Sequence, residues 1–169
     1  TFNGSVANTT YNWSNSIPSI GIAGTGVGNI AAFNAVNNGN AAIFAQVTIT
    51  PTFIQNAVSC PGSPQSFTYQ INPTPSVTNP GSQYVCAGAN TQLLNFTGTG
   101  TTYQWTAANT AIGIGANGTN SIPAFIGQNA TNAVVSSQVT VTPIFTQGIS
   151  CSGSNQTFTY YVLPIPSVA

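Results

Sequence analysis

The sequence has no Asp, Glu, Lys, Arg or His among its 169 residues, and no Met. Each absence removes a class of function. Nucleic-acid binding draws most of its affinity from Lys and Arg on phosphates, so no nucleic-acid partner is expected. A basic helix lying on a membrane surface is excluded on the same ground. General acid–base catalysis normally uses His, Asp, Glu or Lys. The Ser, Thr, Tyr and Cys that remain have no side-chain base to activate them. The sequence therefore predicts neither an enzyme nor a cofactor. Three cysteines without a histidine make a poor zinc set, and calcium would find only amide and backbone oxygens. No apolar run approaches the ~20 residues of a membrane-spanning helix, so no membrane insertion is expected. No signal peptide opens the chain, which reads as a piece of a mature, secreted protein.

What is present is enough to fold. Hydrophobic residues make up 41% of the chain and aromatics 10%, with a mean hydropathy of +0.17. Disordered chains combine low hydrophobicity with high charge, the opposite balance. The surface must be covered by Asn, Thr, Ser, Gln and Gly. With no carboxylate or imidazole to titrate, stability should be nearly flat from acid to neutral pH. Salt screening should matter little. A neutral surface also has nothing to repel its copies, which favours association.

One phrase occurs twice: QVTITPTFIQNAVSC at 46–60 and QVTVTPIFTQGISC at 138–151. The repetition extends in both directions. Tyr11 and Trp13 match Tyr103 and Trp105; Ile20-Gly21-Ile22 matches Ile112-Gly113-Ile114; FTYQINPTPSV at 67–77 matches FTYYVLPIPSV at 158–168. The period of about 92 residues suits one small β domain rather than a solenoid unit. Within each repeat, Ile43, Ala45, Val47 and Ile49 alternate with polar and aromatic residues, as do Val135, Ser137, Val139 and Val141. Period two, with β-branched and aromatic residues punctuated by Gly, Pro and Asn, predicts strands with one buried face. The repeated phrase reads as a strand, a proline stop and a hairpin. No helix is predicted. GIAGTGVGN at 21–29 reads as a loop, without the Lys of a phosphate-binding turn.

The predicted fold is all-β: two tandem Ig-like antiparallel β-sandwiches, residues 1–76 and 77–169. Trp13 and Trp105 are expected in their cores, on a central strand. Pro73/Pro75 and Pro164/Pro166 read as stiff linkers. The segment TNPGSQYVCAGANTQLL at 78–94 has no counterpart in the first repeat. The first sandwich is therefore expected to lack its leading strand, through truncation or because another chain supplies it.

These motifs together (the Tyr-x-Trp pairs, the Ile-Gly-Ile turns, VTxTP, the Cys-x-Gly pieces and PxPSV) resemble the PKD-like repeats of very large surface proteins of Bacteroidota. The resemblance covers essentially the whole chain. It implies Ig-like modules in long extracellular arrays, often adhesive, exported by the type IX system and held at the cell surface or released. The total absence of charge departs from that family's usual composition.

Within this frame Cys86 and Cys151 belong to one repeat, and Cys60 is the equivalent of Cys151. The simple reading is a Cys86–Cys151 disulfide, worth roughly 3–5 kcal/mol for a loop of that length; the alternative is two reduced, half-buried thiols. Cys60 is then unpaired, or bonded to another chain. The threonine rows Thr48/Thr50 and Thr140/Thr142 suggest an ice- or glycan-binding face, or ordinary solvent-facing threonines. Tyr11, Tyr103, Phe44 and Tyr161 are candidates for stacking on sugars, or core and interdomain contacts. Seven N-glycosylation triplets begin at Asn3, Asn8, Asn12, Asn95, Asn117, Asn129 and Asn155; twenty asparagines account for most of them by chance. The expected function is a non-catalytic stalk or spacer in an extracellular adhesin or filament, with neighbouring repeats as its partners. The alternatives are a self-assembling filament subunit or a glycan- or ice-binding module.

Overall fold

Alternation builds the longest strand of each unit. In the computed structural model, which describes residues 1–166, β3 (Ile43–Gln55) buries Ala45, Val47 and Ile49, and β11 (Val135–Gln147) buries Ser137, Val139 and Val141. Successive strand residues point to opposite faces, so this one run of side chains forms the floor of each core. Each fully buried valine contributes about 1.5–3 kcal/mol. The chain divides into two compact units, Thr1–Pro73 and Thr74–Ala169. The boundary falls before 76/77 because Ser76 and Val77 are hydrogen-bonded and bridged to Thr99 and Gly98 of the second unit.

The first unit is a five-stranded antiparallel sheet: β1 (Thr10–Asn15), β2 (Thr25–Val27), β3, β4 (Val58–Pro61) and β5 (Gln65–Ile71). One edge of β3 pairs with β1; the other pairs first with β5 and then with β4. The second unit repeats this plan and adds to it. β8 (Thr102–Ala107), β9 (Asn117–Thr119), β11, β12 (Ile149–Ser152) and β13 (Gln156–Leu163) take the places of β1 to β5. β6 (Gln83–Cys86) lies parallel to β13 along its outer edge, and β7 (Leu94–Asn95) pairs with β10 (Ser121–Ile122) in a small second sheet. The whole is all-β with mixed sheets, of β-sandwich, Ig-like character.

Two local readings change, and a third gains detail. The prolines do not stop the strands: β3 and β11 run on through Pro51 and Pro143. Pro51 falls where pairing with β5, which ends at Ile49–Gln65, hands over to pairing with β4, which starts at Thr52–Pro61. A ring nitrogen there removes no ladder bond, and the Pro51 carbonyl still accepts from the Gly62 amide at 2.8 Å. The glycine-rich stretch contains a strand, β2. Its Gly26 lies opposite Trp13, and Gly118 lies opposite Trp105, because a Cβ at either position would enter the indole. Each Ile-Gly-Ile motif closes a single 3-10 turn, Pro18–Ile20 and Thr110–Ile112. Gly21 and Gly113 adopt φ of 108° and 96°, a region L-residues avoid.

Side-chain amides tie loops to strands where another protein would use ion pairs. Asn37 donates its Nδ2 to the carbonyls of Ala41 and Ile71, both at 2.8 Å. Asn129 does the same with Ala133 and Val162, at 2.8 and 2.9 Å. The two clamps sit at equivalent places and hold the end of the last strand of each unit.

Candidate functional site

The cysteines are not brought together. All three are free thiols, with Cys60 and Cys86 exposed and Cys151 half-buried. Cys86 pairs with Leu163, beside the end of β11 that begins at Val135, whereas Cys151 pairs with Phe145 near its other end. At ~3.3 Å per residue, the strand between puts them roughly 30 Å apart. A disulfide needs Cα atoms about 4.4–6.8 Å apart, so the expected Cys86–Cys151 bond does not form in this fold.

Trp105 belongs to the core of the second unit, 3% exposed, and its Nε1 donates to the Ser121 carbonyl at 2.9 Å. Trp13 is half-buried and packs against the core of the first unit. Its Nε1 is buried without a hydrogen-bond partner. Position 29 is the equivalent of Ser121, but the Asn29 carbonyl does not take up this donor, while the Asn29 Oδ1 accepts from the Phe2 amide. A buried donor left unpaired costs about 1–3 kcal/mol.

The other candidates scatter. Thr48, Thr50, Thr140 and Thr142 are half-buried; Thr48 bonds Ser66 at 3.0 Å and Thr142 donates to Asn155 at 2.8 Å. Tyr103 is buried and Tyr11 half-buried. Phe44 is 51% exposed, and Tyr161 stacks on the exposed Tyr84 with ring centroids 5.0 Å apart. Among the described residues no group of three Cys, His, Asp or Glu could hold a metal, and no helix is long and apolar enough to cross a membrane.

An apolar groove of about 480 Å³ lies in the first unit. Its floor is Ile49, Pro51 and Phe53 of β3; its walls are Phe2, Tyr11 and Gly62; Asn3, Gly4 and Ser5 form its rim. In the second unit the equivalent place is full. Val77, 7% exposed, sits in the core with Phe96 and Tyr103. It is bridged to Gly98; the Thr99 amide donates to the Ser76 carbonyl at 3.0 Å, the Ser76 amide to Thr99 Oγ1 at 2.8 Å, and the Thr78 amide to the Thr97 carbonyl at 2.8 Å. Gly98 and Gly153 make room: a Cβ on either would collide with the carbonyl of Ser76 or Pro75. In the first unit Gly4 and Gly62 hold those two positions, and an added Cβ would meet only Tyr11 or Pro51. The alignment of repeats points to an incomplete first module, but it reads the Pro-x-Pro-Ser-Val segments as linkers and so misses what fills the groove.

No family model matches the chain, and a comparison with curated proteins finds no match.

Proposed function

We propose that the chain is a non-catalytic structural piece of an extracellular surface adhesin or filament, acting as a stalk or spacer that carries tension. The observation that supports this most directly is the pairing of β6 with β13 in the second unit. The two strands lie parallel, in register from Tyr160–Gln83 to Leu163–Cys86. β6 is the first strand of that unit and β13 its last. Pulling the unit by its ends drags the two strands in opposite directions along their length. The ladder bonds between them are then loaded together, in shear, rather than opened one after another. The repeated strand plan supports use in series. The neutral surface would make such a stalk insensitive to salt, and the resemblance of its motifs to PKD-like repeats supports reading it as extracellular, beside neighbouring repeats of the same polypeptide.

Single-molecule pulling by the termini tests this. The second unit should rupture at clearly higher force than the first, whose β5 has no parallel partner among the described residues. Val85→Pro should abolish the difference. The Ala87 amide donates to the Leu163 carbonyl, and in a strand the amide two residues earlier faces the same way. Rupture of both units at the same low force, unaffected by Val85→Pro, would remove the mechanical reading.

A further inference from the structure

We propose that the groove of the first unit accepts the Pro164-Ile165-Pro166-Ser167-Val168 segment of a second copy, joining copies head to tail. The inference rests on the reading of the chain as modules used in series, and it names the surface that joins them.

The second unit supplies the template. Its equivalent groove is filled by Pro75-Ser76-Val77, held by bonds to Thr97 and Thr99 and admitted by Gly98 and Gly153. The open groove carries the same groups. Asn3 aligns with Thr97, Gly4 with Gly98, Ser5 with Thr99 and Gly62 with Gly153. Ser5 keeps the hydroxyl that Thr99 uses. The Asn3 carbonyl and the Ser5 amide have no hydrogen-bond partner among the described residues. Phe2 and Tyr11 take the places of Phe96 and Tyr103, the aromatics around Val77, and both are half-buried where their counterparts are buried.

The occupant follows from the sequence. Pro-x-Pro-Ser-Val occurs twice in the chain, at 73–77 and at 164–168. The first is already seated in the second unit. The second leaves the end of β13, with Ile165 68% exposed and Pro166 exposed; Ser167 and Val168 lie outside the described residues. Seated as Pro75–Val77 are, Ser167 would exchange bonds with Ser5, Val168 would enter the pocket of Phe2 and Tyr11, and the Pro166 carbonyl would pass over Gly62. The neutral surface offers no repulsion to oppose it. Donor and acceptor belong to different units of one chain, so the contact is heterologous and propagates as an open filament unless the rotation closes a ring.

Analytical ultracentrifugation of the full chain over a concentration series tests the proposal with two variants. Val168→Asp alters the donor near the chain terminus. Gly4→Ala with Gly62→Ala alters the acceptor, placing a Cβ where the seated segment would run while meeting only the Tyr11 hydroxyl and the Pro51 ring in the free unit. The wild-type mass should rise with concentration. Each variant should weaken association by about 10- to 100-fold, as expected when a valine anchor is lost. The two variants mixed should give dimers and nothing larger, because one live donor then meets one live acceptor. A wild-type chain that stays monomeric at the highest concentration overturns the proposal, even if a free PIPSV peptide binds the groove, since the segment would then serve only within an array. Undiminished association of both variants would place the contact elsewhere and overturn it equally. Neither failure bears on the rupture forces that test the stalk reading.

Discussion

Tyr160 links the stability of the second unit to alkaline pH in a chain with no Asp, Glu, Lys, Arg or His. Its ring is 2% exposed, packed against Phe125 and Phe158 at centroid distances of 5.2 and 5.7 Å. Burial disfavours the phenolate and pushes the hydroxyl up from 10.0 to about 12. The folded state thus holds this proton more tightly than the unfolded chain. The stability it confers is complete below pH 10, where both states are protonated. It is lost as pH rises from 10 to 12, where unfolding releases the proton. A rise of that size is worth about 2–3 kcal/mol, a large fraction of the stability of a small domain. Between pH 3 and 7 no side-chain carboxylate or imidazole exists to change the balance. Calorimetric melting should therefore give a plateau from pH 3 to 8 and a fall above pH 10 in the transition of the second unit. Tyr160→Phe keeps the ring and removes the ionisable oxygen, and should flatten that fall. A melting temperature that moves by more than a few degrees across the plateau would refute the argument from composition. An alkaline fall that persists unchanged in Tyr160→Phe would refute the role of this residue.

The two tryptophans should respond unequally to the same substitution. Trp105→Phe breaks the bond to the Ser121 carbonyl and leaves a cavity, costing about 2–4 kcal/mol, whereas Trp13→Phe removes a donor that has no partner and should cost about 1–3 kcal/mol less. Equal losses by calorimetry would contradict the difference in bonding. Gly118→Ala places a Cβ 2.8 Å from the indole of Trp105 and should destabilise by about 1–3 kcal/mol; Gly115→Ala, with 3.6 Å to the same ring, should stay within about 0.5 kcal/mol in denaturant titrations. Cys86, Cys151 and Cys60 should all be alkylated without prior reduction. Cys86→Ser and Cys151→Ser should each change stability by less than about 0.5 kcal/mol, not the 3–5 kcal/mol of a lost cross-link; a protected pair by mass spectrometry would argue against the strand register.

Much of the fold was legible because strand periodicity is a local signal. The alternation through Val47 and Val139 gave the direction of the buried face, and aligning the repeats picked out Trp13 and Trp105. Non-local pairing was hidden. Nothing around Cys86 announces that β6 runs parallel to β13, and that choice sends it to the far end of the sheet from Cys151. Pro75-Ser76-Val77 resembled a linker because its partners, Thr97 to Thr99, lie some twenty residues ahead on a segment with no alternation of its own. Proline as a strand stop failed for a geometric reason: its missing donor costs nothing where one neighbour replaces another. The candidate site was legible only as an incomplete module. Its apolar lining, including Phe2, Tyr11 and Phe53, comes from three separated stretches that acquire meaning once Gly4 and Gly62 are compared with their occupied counterparts.

The amide clamps of Asn37 and Asn129 make the lifetime of the fold a question of covalent ageing. Spontaneous hydrolysis of either side chain would exchange its NH₂ for an oxygen. Two carbonyls that now accept hydrogen bonds would then face an anion, in a chain with no cation to answer it. Asn129→Asp reproduces that lesion. It should lower the melting point at neutral pH and recover in part at low pH, where the protonated acid can donate to one of the two carbonyls, giving the protein an acid-range pH dependence that its original sequence lacks. A molecule without charges is indifferent to its solvent only while its asparagines stay intact.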